Sequence, residues 1–402
     1  GERGRFGVGI VAGAFFTMLM SANLATPLYA GYSERFGFST AVLALIFATY
    51  AIVLIPSLLL FGQLSDRFGR RPVIAAGLVA AMAGLGCFAL ADSLPWLFAA
   101  RALLGLAQGM VSGAATAALV ELLPDGEGRR AALLATLGQA GGSASGPLFA
   151  GFLAHWAPAP HVVPFVLGLV VCALLIGLLA FVPETRRGEA EGWKIQRPHV
   201  PAEIRADFAR VGITAAAAWA VAASLFLAVI PSYASAVLET SDLAVLGAVT
   251  ATMLFASCAA QLALRDGAPP AIAQASGLIL LAAGLLALVL ATPLESPALL
   301  ILGALLAGVG HGTAILAAQD NLTQIAPEEQ RAEISAAFYV CVYTGVAGPV
   351  IGIGILAAAV SLYTAVSVFA AVTGVTALVV AGWHLRHREA DERLGMGASP
   401  SR

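Results

Sequence analysis

The chain alternates between long apolar runs and short polar breaks, and this alternation predicts membrane-spanning helices. A run of about 20 apolar residues crosses the hydrocarbon layer as an α-helix, because each residue adds about 1.5 Å to a layer about 30 Å thick. Charged residues, proline and glycine divide the sequence into twelve such runs. In chain order they are helix 1 to helix 12, near residues 6–31, 40–64, 72–92, 95–121, 131–155, 162–183, 211–237, 243–265, 270–291, 297–325, 332–358 and 361–384. We therefore expect an all-α integral membrane protein with twelve transmembrane helices.

Composition supports the membrane class and gives no sign of a cofactor. Hydrophobic residues make up 59% of the chain and charged residues 11%, whereas soluble domains carry about 25% charged residues. The first run is too long to be a cleaved signal peptide, and a chain that begins at Gly1 rather than Met is expected to be trimmed. The four cysteines stand singly in different helices, so we expect no disulfide framework, no metal site and no cofactor. They are Cys87, Cys172, Cys258 and Cys341.

The basic residues predict the orientation in the membrane. Of the 21 Lys and Arg residues, 19 lie on the side that holds both predicted termini, Arg35 lies on the other side and Arg101 lies inside helix 4. Because Lys and Arg in short loops stay in the cytoplasm, both termini are expected there. We expect a multi-pass protein of a bacterial plasma membrane.

The longest polar stretch, residues 184–210, divides the chain into two halves of six helices. The expected domains are an N-terminal bundle over 1–187, a cytoplasmic linker over 188–210 and a C-terminal bundle over 211–402. Mixed charges and two prolines indicate a solvated linker. A short interfacial helix near 202–210 and a partner-binding role are alternatives.

The two halves repeat each other in sequence. Pro27-Leu28-Tyr29-Ala30 recurs as Pro231-Ser232-Tyr233-Ala234, 204 positions later, and Gly146-Pro147 recurs as Gly348-Pro349, 202 positions later. Further matches between the loops after helices 2 and 8 and between helices 4 and 10 follow in the same order. Parallel repeats of this kind predict two pseudo-symmetric bundles with a substrate site between them.

The loop between helices 2 and 3 carries the most specific motif. Its residues, Gly62-Gln63-Leu64-Ser65-Asp66-Arg67-Phe68-Gly69-Arg70-Arg71, closely resemble the signature of the major facilitator superfamily at this loop. The resemblance implies the major facilitator fold and alternating access. It also implies a cytoplasmic gate that holds this side shut while the outside is open, formed by Gly62, Asp66, Arg67, Gly69, Arg70 and Glu121 of helix 4. The alternative is an ordinary positively charged loop.

Helix 4 contains an arginine within the membrane. Arg101 begins a segment that is similar to the superfamily pattern R-x-x-Q-G-x-G, although Leu104 and Ala107 depart from it. The resemblance implies that Arg101 binds substrate or responds to proton transfer. Gln108 is seven residues on and shares its helical face. The alternative for Arg101 is snorkelling toward the outer surface.

Helix 10 contains two titratable residues. The repeat places His311 at the position of Gln108, so His311 is expected to line the central cavity. It is either a proton carrier or a neutral histidine hydrogen-bonded between helices. Asp320 is nine residues away, on the opposite face of a straight helix, and is not expected to share a site with His311. It is a proton site, a gate or an interhelical latch.

Helix 5 carries small residues at regular spacing. Gly142, Gly146, Pro147 and Gly151 resemble a signature associated with antiporters. Small residues also allow close helix packing, which is the alternative interpretation.

The remaining candidates for the cavity wall are mostly aromatic. Such a wall suits a moderately hydrophobic organic compound. Helices 1 and 7 hold no acid, which argues against a cationic substrate. These candidates are Asn23, Tyr29, Tyr50, Gln139, Phe226, Tyr233, Phe338, Tyr339 and Tyr343.

Together these features predict a secondary transporter that resembles the twelve-helix drug:proton antiporter branch, exporting a small organic compound in exchange for protons. The alternatives are an importer or facilitator for a sugar or organic acid, and a non-transporting sensor or lipid-handling protein. The expected partners are a small-molecule substrate, the lipid bilayer and protons, with no nucleic acid and a monomeric state. An enzyme is not expected, because no nucleophile-base pair, metal spacing or phosphate loop is found.

Overall fold

A computed structural model describes residues 2–124, 127–185, 197–264 and 269–393. The regular elements in these ranges are all helices, and they follow the twelve predicted segments in order. Ten helices in the described ranges are long and apolar enough to cross a membrane. Of the other two segments, helix 5 is interrupted by a π-helical turn, and helix 6 is a shorter apolar helix. The predicted all-α membrane architecture is confirmed.

The N-terminal half contains helices 1 to 6. Helix 1 spans Glu2–Asn23 and, after a 3₁₀ turn at Thr26–Leu28, continues over Tyr29–Phe36. Helices 2, 3 and 4 span Thr40–Phe68, Arg70–Ala89 and Leu94–Leu122. Helix 5 spans Gly128–Thr136 and, after a π-helical turn at Leu137–Gly141, continues over Gly142–Trp156, and helix 6 spans Val163–Leu179.

The C-terminal half contains helices 7 to 12. Helix 7 spans Arg205–Trp219 and, after a π-helical stretch at Ala220–Leu227, continues over Ile230–Leu238. Helices 8 to 12 span Leu243–Leu264, Pro270–Ala291, Pro297–Ile325, Arg331–Ala359 and Leu362–Arg393.

The predicted linker is only partly within the described residues. Residues 188–196 lie outside them. Ala202–Ile204 forms a 3₁₀ turn that leads directly into helix 7. The segment near 202–210 is therefore the beginning of helix 7 and not a separate interfacial helix.

Glycine contacts repeat between the halves. Gly109 of helix 4 lies against Ser57 of helix 2, and Gly312 of helix 10 lies against Ser257 of helix 8. Helix 3 approaches helix 4 at Gly77 and Gly84, and helix 9 approaches helix 10 at Gly277 and Gly284. A Cβ atom at any of these glycines would meet the neighbouring helix. The shared contacts support the duplicated architecture predicted from the sequence.

The structure corrects the alignment of helix 1 with helix 7. The hydroxyl of Tyr233 donates to the Leu288 carbonyl at 2.8 Å, and the hydroxyl of Tyr32 donates to the Phe88 carbonyl at 3.0 Å. Tyr233 therefore corresponds to Tyr32, 201 positions earlier, and not to Tyr29. The sequence alignment was therefore displaced by three residues, which is close to one helical turn. Tyr29 and Tyr32 lie on nearly the same helical face for this reason.

The two halves meet tightly at the end of the bundle away from the termini, called the closed end below. Helix 5 packs on helix 8, where Gly151 lies against the Leu243 carbonyl and Gly247 against the Pro147 carbonyl. His155 Nδ1 and Asp242 Oδ1 are 3.0 Å apart at the same junction. Helix 11 packs on helix 2 in the equivalent way.

Candidate functional site

A cavity of about 390 Å³ lies between the two halves. Its wall comes from helices 4 and 5 of the N-terminal half and helices 7, 8, 10 and 11 of the C-terminal half. The lining residues lie from the middle of these helices to the end that carries the termini, so the cavity opens on that side. The polar part of the wall consists of Thr116, Thr136, Gln139, Ser143, Ser257, Gln261, His311, Gln319, Asp320, Thr323 and Ser335.

His311 lies at the deep end of the cavity, as its position in the repeat predicts. Its Nδ1 atom is 2.7 Å from the hydroxyl of Ser257, and its ring meets Trp219 edge to face at 5.1 Å. The residue is 3% exposed, and its Nε2 atom has no hydrogen-bond partner in the part of the chain that the structure describes. The cavity therefore contains a buried imidazole with one unsatisfied nitrogen.

Asp320 lines the same cavity nearer its mouth, contrary to the expectation that the two residues do not share a site. The reason is that the cavity covers a broad face of helix 10. At about 100° per residue, Gln319 projects about 80° from His311 and about 100° from Asp320. His311 and Asp320 thus lie at the two edges of a strip centred near Gln319, and Asp320 is the one carboxylate among the described lining residues.

The charged loop forms a compact cluster outside the cavity. Arg70 Nη2 lies 2.6 Å from Asp66 Oδ1 and 3.0 Å from Glu121 Oε1, which joins the ends of helices 2, 3 and 4. The backbone of this loop turns at Gly69, where φ is 97°. Three of the six predicted gate residues, Asp66, Arg70 and Glu121, are therefore in contact.

Glu184 and Thr185, which follow helix 6, also belong to this cluster. Both lie in the polar stretch 184–210 of the sequence. Glu184 accepts hydrogen bonds from the backbone N–H groups of Arg70 at 2.8 Å and Arg71 at 3.1 Å. Thr185 donates to Glu121 at 2.5 Å. The only sequence signal for Glu184 is an acid placed directly after the last apolar turn of helix 6.

Comparison with known proteins decides the family. The model of the Major Facilitator Superfamily matches residues 10–349. The chain belongs to this superfamily. Inner membrane transport protein YajR of Escherichia coli (strain K12) is 33% identical over 125 residues, which are 31% of this chain and 26% of that protein. The match thus spans about a quarter of that relative's length.

Two solved transporter structures share the fold of this chain. A POT family transporter in complex with 5-aminolevulinic acid has a TM-score of 0.76 and 14% identity, covering 94% of this chain and 96% of that one. A POT family transporter in complex with a thioalcohol-conjugated peptide has the same TM-score and 13% identity, with the same coverage. These likenesses show that the chain shares the fold of these two transporters.

The gate cluster of this superfamily member lies within the N-terminal half. The contacts described for Arg70 are all with residues before the linker, and they are present while the cavity is open on the same side. Arg67 points its guanidinium over the Phe68 ring at 5.7 Å, and Gly62 lies inside helix 2. The gating role of the cluster stays a prediction.

Arg101 is buried and does not reach the surface. It is 4% exposed, and its Nη1 donates to the Ala22 carbonyl at 2.9 Å. The guanidinium lies 4.5 Å from the ring centre of Phe47 and 4.8 Å from that of Tyr50. Snorkelling is therefore wrong. Arg101 is not part of the cavity wall, and neither is Gln108, whose side chain donates to Ser112 at 2.7 Å.

The predicted wall residues divide into two groups. Gln139, Phe338 and Tyr339 line the cavity. The prediction is wrong in this conformation for the other six, which are buried in helix contacts or lie beyond the deep end. These six are Asn23, Tyr29, Tyr50, Phe226, Tyr233 and Tyr343.

The wall is also more polar than predicted. Sequence reasoning missed Ser257 and Gln261, which are one helical turn apart, and the Gln261 amide donates to the Ser257 hydroxyl at 3.2 Å. Polar residues at i and i+4 inside an apolar run were the available signal. Trp219 was also missed, because a single aromatic in an apolar helix gives no direction.

The helix 5 glycines are in close contact with other helices. A Cβ atom at Gly142 would lie 2.5 Å from the Phe16 carbonyl oxygen, and one at Gly146 would lie 2.6 Å from that of Met20. Gly151 meets helix 8 at the closed end. The packing role explains all three residues, and their relation to antiport stays a prediction.

His384 near the end of helix 12 is a second buried histidine. It is 2% exposed, and its Nε2 is 3.0 Å from the Thr214 hydroxyl. His384 is the last residue of the predicted helix 12 segment, 361–384. The two differ in position, because His311 faces the cavity and His384 joins helices 7 and 12.

Proposed function

We propose that this protein is a secondary transporter that works by alternating access and exports a small organic compound in exchange for protons. The observation that carries the proposal is the cavity between the two halves, which is lined by both of them, open at one end and closed at the other by matching helix pairs. A site at the interface of two such repeats is the arrangement by which rocking of one half exposes a solute to either side.

The conformation supports a cytoplasm-open state if the termini are cytoplasmic, as the basic residues predict. Export then requires the closed end to separate. The contacts to be broken are the helix 5–helix 8 junction, which includes the His155–Asp242 pair, and the equivalent helix 2–helix 11 junction. The cavity must narrow at the same time, near the mouth residues Asp320 and Thr323.

His311 and Asp320 are our candidates for the protonated groups. They are the two residues of the cavity wall whose side chains titrate between acid and neutral pH. No described cation pairs with Asp320, so a proton or a substrate group is free to neutralise it. Exchange of one proton charge supplies about 2.3 kcal/mol per 100 mV of membrane potential. Arg101 is excluded from direct contact with this wall in the present conformation.

The lining favours an organic solute with both ring and hydrogen-bonding groups. Trp219, Phe338 and Tyr339 offer aromatic surface, and the amides of Gln139 and Gln319 offer donors and acceptors. Pockets for organic ligands combine an apolar wall with a few placed polar groups. The sequence predicted a moderately hydrophobic substrate. The observed wall has more polar groups than are needed to bind such a compound.

Transport by purified protein in liposomes tests the proposal. A thermal-stabilisation screen supplies the solute, and an imposed pH gradient supplies the driving force. We expect Asp320→Asn and His311→Gln to abolish gradient-driven movement. The matched controls Asp92→Asn, in an exposed loop, and His384→Gln are expected to retain it. If solute movement by the unmodified protein does not depend on the imposed pH gradient, proton coupling is rejected. If no stabilising solute shows counterflow, transport is rejected.

A further inference from the structure

Arg101 is a buried cation without a described counter-ion. It lies about two turns inside the start of helix 4, and every group described in contact with it is uncharged: the Ala22 carbonyl and the rings of Phe47 and Tyr50. Its Nε–H group is buried and has no hydrogen-bond partner in the described ranges of the chain. A charge at membrane depth is costly unless an opposite charge or water compensates it. The site therefore requires an anion at some stage of the protein's work.

Tyr29 provides a second unsatisfied donor beside Arg101. Its ring is 5.0 Å from that of Phe47, which also contacts the guanidinium. The phenol is 3% exposed, and its hydroxyl has no hydrogen-bond partner among the described residues. A phenol O–H and a guanidinium N–H are both donors, so the ligand that satisfies them together is an acceptor. A carboxylate has enough lone pairs for both.

Aromatic side chains connect this position with the cavity. Tyr339 lines the cavity and stacks on Tyr343 at 6.5 Å. Tyr343 belongs to helix 11, which packs on helix 2, and the ring of Tyr50 in helix 2 lies 4.8 Å from the Arg101 guanidinium. These tyrosines come from helix 2 and helix 11, the pair that must separate when the closed end opens. Separation of this pair uncovers Arg101 toward the transport path.

We propose that Arg101 and Tyr29 form a carboxylate-binding subsite at the deep end of the transport path, and that the transported compound is an organic monocarboxylate with an apolar or aromatic body. The inference rests on the proposed function, because it treats the cavity as the path. An anionic cargo also agrees with export, since a potential that is negative inside favours outward movement of an anion.

Pairs of compounds that differ only in charge test the subsite. Benzoate, phenylacetate and hexanoate are each compared with their primary amide in thermal-stabilisation titrations of the purified protein. We expect at least one carboxylate to raise the melting temperature in a saturable way that its amide does not reproduce. Arg101→Gln is expected to abolish this difference, and Tyr29→Phe to weaken the apparent affinity by about tenfold, since it removes one hydrogen bond to a charged group. Arg35→Gln, at an exposed arginine in the last turn of helix 1, is the matched control and should behave as wild type.

Three results overturn the subsite: no carboxylate of the panel stabilises the protein, the amides stabilise it equally, or Arg101→Gln responds as wild type. Counterflow of the best labelled carboxylate separates this inference from the proposed function. Arg101-dependent binding without counterflow retains the subsite and rejects transport. Counterflow that survives Arg101→Gln retains transport and rejects the subsite.

Discussion

The hydroxyl of Ser257 in helix 8 lies 2.7 Å from Nδ1 of His311 in helix 10 and accepts a hydrogen bond from Gln261. Its own proton has one described acceptor, the His311 ring. Nδ1 is then the accepting nitrogen, and the neutral imidazole carries its proton on Nε2. Nε2 is buried in the cavity wall and has no hydrogen-bond partner among the described residues. His311 therefore offers a hydrogen-bond donor to a solute.

Ser257→Ala removes the group that fixes this tautomer. We expect a stability loss of about 1 kcal/mol, typical of one hydrogen bond, and a several-fold weaker affinity for any solute that accepts from Nε2–H. Thermal melting and ligand titration measure the two effects. The matched control is Ser57→Ala in helix 2, whose hydroxyl donates to the Leu106 carbonyl at 2.9 Å. A loss of affinity in both variants contradicts the assignment.

Gly247→Ala opens the closed end. A Cβ atom at this position would overlap the Pro147 carbonyl oxygen, and both atoms belong to helix backbones that cannot yield separately. We expect a shift toward conformers with this end open. In a background without the native cysteines, an Ala44→Cys probe, buried against helix 11, should react several-fold faster with a maleimide.

Gly352→Ala in helix 11 is the control for that change, because a Cβ atom there meets nothing within 4 Å. Labelling that rises equally in both variants would reflect general loosening of the bundle. An unchanged rate in Gly247→Ala would mean that the helix 5–helix 8 contact does not hold the closed end.

Glu184→Ala removes the carboxylate that accepts the first N–H groups of helix 3. Anions at a helix N-terminus satisfy orphan donors and complement the helix dipole. We expect a loss of about 1 kcal/mol, comparable to loss of a helix cap, seen as a lower melting temperature. Glu203→Ala, an exposed acid before helix 7, should leave the melting temperature unchanged. Equal melting of the two variants would remove Glu184 from the gate cluster.

His161 at the closed end makes the stability of the protein depend on pH. Its ring packs over Gly31 and lies 4.8 Å from the Tyr32 ring. Burial, assisted by the charge of Arg35, lowers the pKa of His161 below its ordinary value of about 6.5. The unfolded chain therefore binds this proton more readily, and stability falls as the pH drops below about 6.5.

His161→Gln should reduce that dependence, measured as the change in melting temperature between pH 8 and pH 5. His155→Gln serves as the comparison, because His155 lies at the same end of the protein in a different contact, with Asp242. If His161→Gln and wild type lose stability in parallel, His161 is not the group responsible.

The overall architecture was predictable because its signals are local. Each transmembrane helix is an uninterrupted apolar run, and the helix 2–helix 3 motif lies within ten residues. The contact between Asp66, Arg70 and Glu121 followed from the same resemblance. Glu184 did not, because its partners are more than 110 positions away and no spacing rule links them.

The cavity wall was harder to predict because it depends on helix faces and register. The break after Asn23 and the π-helical turn at Leu137–Gly141 rotate the following residues, so straight-helix reasoning misplaces side chains beyond them. Tyr233 shows the same problem, since a motif match displaced by one turn looked like a true equivalence. His311 was placed correctly because helices 4 and 10 are unbroken and keep one offset.

The repeated glycine contacts also determine which parts of the molecule are stiff. Helix 4 touches helices 2 and 3 at backbone distance, and helix 10 does the same with helices 8 and 9. Helices in such contact cannot slide without atomic overlap, so each trio moves as a solid block. Irregular turns interrupt the α-helical hydrogen-bond ladder in helices 1, 5 and 7, where bending is expected to concentrate. The irregular turns in these helices are therefore the expected hinges. A ligand or mutation that converts them to regular helix would block the conformational change without contacting the solute.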